Sequence, residues 1–101
     1  MLTSTAMTAL KNCFTDNIVS AKYKVGSTYY QVPIQSAEIL SDGRVAIMFL
    51  IDHTVAGDIT ITEVQLYARN GALWASKTES ITRKAMQEGI LYRFVFTITE
   101  N

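Results

Sequence analysis

The sequence predicts a mainly β protein: an antiparallel β-sandwich of about seven strands with one short amino-terminal α-helix. Three observations indicate this fold. Helical spacing of apolar residues occurs only at the start of the chain, alternating apolar and polar residues follow it, and turn dipeptides separate the alternating segments. The chain has 101 residues, of which 49% are hydrophobic, and this suits a single domain over residues 1–101.

The pattern of apolar residues in residues 1–16 predicts the helix, which would pack on or beside the sandwich. Between residues 3 and 16 apolar residues recur at intervals of three and four, and a hydroxyl group at Thr3, Ser4 or Thr5 would cap the first turn. The apolar stripe comprises Ala6, Ala9, Leu10, Cys13 and Phe14. Because Cys13 lies on this stripe, we expect it to be a buried small hydrophobic residue.

The first predicted hairpin turns at Gly26-Ser27, a pair that suits a type II′ turn. That turn sets Tyr23 opposite Tyr30 on the core face of the sandwich. Pro33 cannot donate a ladder hydrogen bond, so it would mark a strand end or an edge strand.

The second predicted hairpin turns at Asp42-Gly43 and sets Leu40 against Val45. The strand that follows, Val45–Ile51, is apolar at every position. Such a strand is typically central, or has its second face covered. The amino-terminal helix is the expected cover.

A change of phase predicts a β-bulge within residues 59–69. Apolar residues occupy odd positions up to Ile61 and even positions from Val64 onward. One extra residue near Thr62-Glu63 would keep both sets on the core face.

The third predicted hairpin turns at Asn70-Gly71, a dipeptide typical of type I′ turns. This turn would place Leu73 on the core face and pair Tyr67 with Trp74 on the opposite face. Surface aromatic residues often anchor protein interfaces. Stacking on sugar rings, and burial under the helix or the second sheet, are the alternatives. The candidate interface residues are Tyr67, Trp74 and Tyr29, the last of which the first hairpin directs outward.

The last predicted strand covers residues 90–99, where apolar and polar residues alternate cleanly. Residues 83–89, before it, fit either one helical turn or a loop. The residues expected in the core are Phe94, Phe96, Leu66, Ile47 and Phe49.

No residue pattern indicates catalysis, a metal site or a bound cofactor. His53 is the only histidine, and its neighbour Asp52 would point away from it in an extended segment, so His53 is expected on a loop surface. Asp52, Asp58 and Glu63 could offer oxygen ligands to Ca²⁺, but their spacing matches no calcium-loop signature. The sequence therefore predicts a protein that is not an enzyme and needs no cofactor.

Charge and hydropathy argue against nucleic-acid and membrane partners. Nine basic and nine acidic residues give a formal net charge of zero, without a cationic patch. The longest apolar run, Val45–Ile51, is far shorter than the roughly 20 residues that span a bilayer. No signal-peptide pattern is present, and the single cysteine cannot form an internal disulfide.

Three consecutive segments carry a family resemblance. Residues 61–67 are Ile-Thr-Glu-Val-Gln-Leu-Tyr, residues 70–76 are Asn-Gly-Ala-Leu-Trp-Ala-Ser, and residues 81–84 are Ile-Thr-Arg-Lys. This succession resembles the tail and tail-collar-fibre-like structural proteins of tailed bacteriophages, with Gln65 where that group often has glycine. Residues 89–98 look like the group's closing strand.

The resemblance implies a non-enzymatic structural subunit of a phage or prophage particle, in the tail, baseplate, neck or fibre attachment. It implies further copies of the chain and other virion proteins as partners, and a place in the virion after assembly in the host cytoplasm. A small carbohydrate- or ligand-binding module that uses exposed aromatic residues is the alternative function.

Overall fold

The computed structural model describes residues 2–51, 57–84 and 89–98. These residues form two antiparallel sheets and one amino-terminal helix, the mainly β, sandwich-like architecture that the sequence predicts. The elements are α1 (Ser4–Asn17), β1 (Ile18–Val25), β2 (Thr28–Pro33), β3 (Ser36–Ile39), β4 (Val45–Ile51), β5 (Ile59–Ala68), β6 (Leu73–Arg83) and β7 (Ile90–Phe96).

One sheet has four strands in the order β2-β1-β5-β6, and the other has three in the order β3-β4-β7. Both sheets contribute to one hydrophobic core, as face-to-face packing requires. The all-apolar strand β4 is central in its sheet, as predicted. Its second face is buried at Ala46 but exposed at Leu50, so the cover over that face decreases along the strand.

The predicted core residues are buried with one partial exception. Ile47, Phe49, Leu66 and Phe94 are buried, whereas Phe96 is half-buried and packs against the core. The cluster also contains apolar side chains from β1, β2 and β5, namely Ile18, Ala21, Tyr23, Val32, Ile59, Ile61 and Val64.

Helix α1 begins where a hydroxyl caps it, because Thr3 Oγ1 accepts a hydrogen bond from the Ala6 amide at 3.1 Å. The helix lies against β1, β3 and β4, and Phe14 packs against the core. The prediction that Cys13 is buried is wrong: its side chain is exposed. Successive helical residues point about 100° apart, so the neighbour of an inward Phe14 faces outward.

The first hairpin has the predicted register, with Tyr23 opposite Tyr30. Gly26 supplies the positive φ, 63°, that a type II′ turn needs at its first central position. The two tyrosine rings stack with their centroids 5.6 Å apart. Pro33 is the last residue of β2, an edge strand, and so satisfies both conditions predicted for it.

The β3–β4 turn has three residues rather than the predicted two. The Leu40 amide donates to the Arg44 carbonyl at 2.7 Å, and Gly43 has a φ of 91°. Among the described residues only glycines have positive φ, whereas a type I′ turn needs two such residues in succession. Val45 therefore lies opposite Ile39 and not opposite Leu40.

The β5–β6 turn has the same three-residue form, closed by a bond of 2.9 Å from the Ala68 amide to the Ala72 carbonyl. The longer turn shifts the pairing, so Tyr67 lies opposite Leu73 and not opposite Trp74. Leu73, predicted in the core, is 53% exposed as a result.

Strand pairing is irregular at four places in the four-stranded sheet: at Ile18/Ser20 and Lys24/Val25 between β1 and β5, and at Ile61/Glu63 and Leu66/Tyr67 between β5 and β6. Lys24 pairs with Glu63 and Val25 with Ile61, so Thr62 is an extra residue relative to β1, as the change of phase predicts. Trp74 is likewise extra in β6, because the pairing moves from Leu73 directly to Ala75 as β5 advances by one residue. This second bulge was not predicted.

Some sequence predictions fall outside the described residues, namely those for Asp52, His53, residues 85–88 and the end of the last strand beyond residue 98. Within the part of the chain that the structure describes, no helix has the length and apolar character needed to cross a membrane.

Candidate functional site

The outer face of the four-stranded sheet brings together two of the three candidate interface residues. Side chains that are directly opposite in an antiparallel sheet share one face, so the strand registers place three rows of residues there. From β2 to β6, the rows are Tyr29, Lys24, Glu63 and Thr78; Gln31, Lys22, Gln65 and Ser76; and Pro33, Ser20, Tyr67 and Leu73.

Five of these side chains form a hydrogen-bonded set that we call the outer-face network: Tyr29, Glu63, Gln65, Tyr67 and Ser76. The Glu63 carboxylate accepts from the Tyr29 hydroxyl at 3.1 Å, the Ser76 hydroxyl at 3.0 Å and the Gln65 amide at 2.6 Å. The Tyr67 hydroxyl donates to Gln65 Oε1. Gln65 is buried among its neighbours, and the network therefore holds both tyrosine hydroxyls in place.

The network lowers the pKa of Glu63 and raises the pKa of Tyr29. Hydrogen bonds from Ser76 and Tyr29, with a smaller contribution from the charge of Lys24, hold the pKa of Glu63 below its usual value. The bond to Glu63 raises the pKa of Tyr29. Both shifts move the pKa of the group further from neutral pH, whereas a general acid or base is most effective when its pKa lies near neutral pH. The arrangement supports binding rather than proton transfer.

Each tyrosine on this face carries a lysine ammonium group over its ring. Lys22 Nζ lies 4.5 Å from the centroid of Tyr67, and Lys24 Nζ lies 5.5 Å from that of Tyr29. These contacts fall within cation–π range. A sugar that stacked on the same side of either ring would have to displace a lysine.

Trp74 lies apart from the network. Its ring packs edge-on against Phe14 of the helix, with the centroids 5.4 Å apart, and Phe14 also contacts Phe96 at 5.1 Å. The Trp74 residue nevertheless remains 39% exposed. Of the three candidate interface residues, the structure thus connects Tyr29 and Tyr67 through Glu63 and Gln65 and places Trp74 beside the helix.

Sequence reasoning missed Glu63 and Gln65 as members of this site. The signal was present, because residues 63, 65 and 67 follow the two-residue period of a strand after the bulge at Thr62. Once the bulge is placed, all three side chains belong to the outer face.

A second feature is a groove of about 310 Å³ lined by Val32, Pro33, Gln35 and Leu50. These four described side chains include no acid, base or nucleophile, so none of them supplies catalytic chemistry to the groove.

Of the acidic residues considered for calcium, Asp58 and Glu63 belong to different side-chain clusters, and Asp52 lies outside the described residues. Asp58 is exposed and lies 3.7 Å from Lys84 Nζ, whereas Glu63 belongs to the outer-face network. Among the described residues, no group of three or more His, Cys, Asp or Glu side chains could hold a metal ion.

Comparisons with protein-family models, with curated proteins and with solved structures find no match for this chain.

Proposed function

We propose that this chain is a non-enzymatic structural subunit of a phage or prophage particle that acts through protein–protein contacts. The proposed position is the tail, baseplate, neck or fibre attachment, with further copies of the chain and other virion proteins as partners. The observation that carries the proposal is the outer face of the four-stranded sheet, where the exposed Leu73 lies beside the outer-face network, which orients Tyr29 and Tyr67.

Two residues of this face, Tyr29 and Tyr67, are of a type that protein interfaces favour. Tyrosine is enriched among residues whose truncation weakens binding, and it loses little conformational freedom on binding because its side chain has few rotatable bonds. The hydroxyls of Tyr29 and Tyr67 are already held by hydrogen bonds, so a partner would meet a surface with much of its ordering complete. The resemblance of residues 61–84 to phage tail proteins supports the choice of particle.

Carbohydrate binding is the less favoured alternative. Lys22 and Lys24 lie over the tyrosine rings, and Trp74 packs against Phe14 instead of extending an aromatic platform. A protein partner can use the tyrosine edges, the lysines and the Leu73 side chain together.

The experiment examines incorporation into particles. The tagged chain is produced in the bacterium that encodes it, and particles are purified on a density gradient after induction. The proposal expects the chain in the particle fraction and expects Leu73→Lys to reduce that amount severalfold. The chain absent from particles, or binding of the monomer to a glycan array, would overturn the proposal.

Leu10→Lys is the matched control, because Leu10 is also an exposed leucine but lies on helix α1. It adds the same charge at a different surface, so we expect wild-type incorporation. Circular dichroism of both variants verifies that each remains folded.

A further inference from the structure

The sandwich has two lateral sides, each formed by one edge strand from each sheet. Strands β6 and β7 share a side, because Phe14 contacts both Trp74 on β6 and Phe96 on β7. Strands β2 and β3 share the other side, since only residues 34 and 35 connect these two edge strands.

The edges of the four-stranded sheet are protected against strand addition. Strand β2 ends in Pro33, and β6 carries Lys77, Glu79 and the bulge at Trp74. Proline, charged side chains and bulges are the devices with which proteins prevent pairing at an edge.

The edges of the three-stranded sheet carry fewer of these devices. Strand β7 pairs with β4 without a bulge over its whole length, contains no proline and has Arg93 as its one charged residue. Strand β3 also pairs with β4 without a bulge and has Glu38 as its one charged residue, although it has only four residues and helix α1 packs against part of it. The edge residues Ile39 and Leu91 are exposed, the latter by 54%.

Arg93 and Glu38 occupy the same outer face of this sheet. Arg93 pairs with Met48, which pairs with Ser36, and Glu38 lies two residues beyond Ser36 on β3. Both charged residues are exposed, and neither forms a salt bridge with the described residues. Because β3 and β7 are each antiparallel to β4, they run parallel to one another.

We propose that copies of this chain associate head to tail through the three-stranded sheet, with β7 of one copy beside β3 of the next and Arg93 paired with Glu38 of the neighbouring copy. If neighbouring copies keep the same strand direction and level, Arg93 lies diagonally across from Glu38, a separation of roughly 7–8 Å that long side chains bridge. Two-fold pairing of β7 with β7 would instead bring arginines together, with no acidic residue on that strand. A head-to-tail contact repeats, so it builds a ring or filament.

This inference rests on the proposed structural role and names one partner, a second copy, at a surface separate from the outer-face network. The test measures the mass of the wild-type chain by sedimentation velocity over a concentration series. Arg93→Glu alone and Glu38→Arg alone should each weaken self-association by about tenfold or more, because like charges then meet across the contact.

An equimolar mixture of the two variants is the decisive sample. The Arg93→Glu variant is acidic at both positions and the Glu38→Arg variant is basic at both. Where the two variants alternate, every contact joins one acidic and one basic side chain, so we expect association near the wild-type level. If Arg93 and Glu38 instead attracted each other within one copy, each variant would still carry two like charges after mixing, and self-association would not recover. A mixture that stays monomeric therefore overturns the inference.

Asp58→Arg and Lys84→Glu are the matched controls. Each variant reverses one charge of an exposed ion pair that lies outside strands β3 and β7. Neither variant alone should change the mass that the chain has in solution. A wild-type chain that is monomeric at every concentration, or that stops at a dimer, overturns head-to-tail association. If such a chain still incorporates into particles, the proposed function stands and only this inference fails.

Discussion

Asp42 and Asn70 hold equivalent positions in two hairpin loops. Asp42 Oδ1 accepts from the Arg44 amide at 3.1 Å, and Asn70 Oδ1 accepts from the Ala72 amide at 3.0 Å. In each loop the next residue is a glycine with positive φ, 91° at Gly43 and 86° at residue 71. The side-chain bond and the left-handed glycine together define a three-residue loop.

Substitution of the loop glycine should therefore destabilise the fold without any steric clash. A Cβ added at Gly71 would have no atom within 4 Å, so only the left-handed backbone opposes Gly71→Ala. We expect a loss of about 1–2 kcal/mol in the free energy of unfolding, measured with urea. Asn70→Asp keeps the acceptor and should change little. An unchanged midpoint for Gly71→Ala would contradict this account of the turn.

Truncation in the core should cost far more than truncation at the edge of the same strand. Phe94 is buried between Phe49, Tyr92 and Phe96, and Phe94→Ala should cost about 3–5 kcal/mol. Leu91 is exposed on the same strand, so Leu91→Ala should stay within about 0.5 kcal/mol of the wild type. Thermal unfolding of both variants checks the contrast. Equal effects would mean that β7 is placed with the wrong face inward.

The contact between Trp74 and Phe14 should couple the helix to the sandwich. Edge-to-face aromatic pairs contribute about 0.5–1.5 kcal/mol beyond their burial. Trp74→Ala and Phe14→Ala, alone and combined, form a double-mutant cycle whose coupling energy should fall in that range. A coupling energy of zero would show that the helix does not pack through this pair.

Acid should weaken the outer-face network before it affects the core. The pKa of Glu63 is lowered in the folded state, so its stabilisation is complete above the usual value of 4.5 and is lost as the pH falls through the lowered pKa. Glu63→Gln removes this titration, and its stability should vary less between about pH 2 and pH 5 than that of the wild type. Parallel stability curves for the two proteins would contradict the prediction.

Sequence patterns predicted the hairpin at Gly26 but not the lengths of the next two loops. A glycine in the first central position favours one turn type, whereas Asp-Gly and Asn-Gly fit a two-residue turn and the end of a three-residue loop equally well. Which of the two loop lengths forms depends on whether the Asp42 and Asn70 side chains accept hydrogen bonds from the backbone. The dipeptide sequence alone does not show whether these bonds form. A shift of one residue then moved Leu73 from the core face to the outer face.

The helix shows a second limit of sequence reasoning. Its apolar stripe is narrow and consists largely of small residues. The spacing of the stripe therefore predicts a helix, but it does not predict which residues of the helix pack against the sheets. Phe14, the largest residue on it, determines the packing through Trp74 and Phe96, which are distant in the chain. Tyr29 and Tyr67 were correctly placed on the outer face because alternation within a strand is strict.

The exposed thiol of Cys13 affects how any measurement of mass must be made. It is the only cysteine in the chain, so air oxidation can join two copies covalently through their helices. A dimer that disappears on addition of a reducing agent would therefore report a disulfide and not association through strands. The same thiol accepts a single maleimide fluorophore next to Phe14, from which the undocking of helix α1 can be followed separately from unfolding of the sheets.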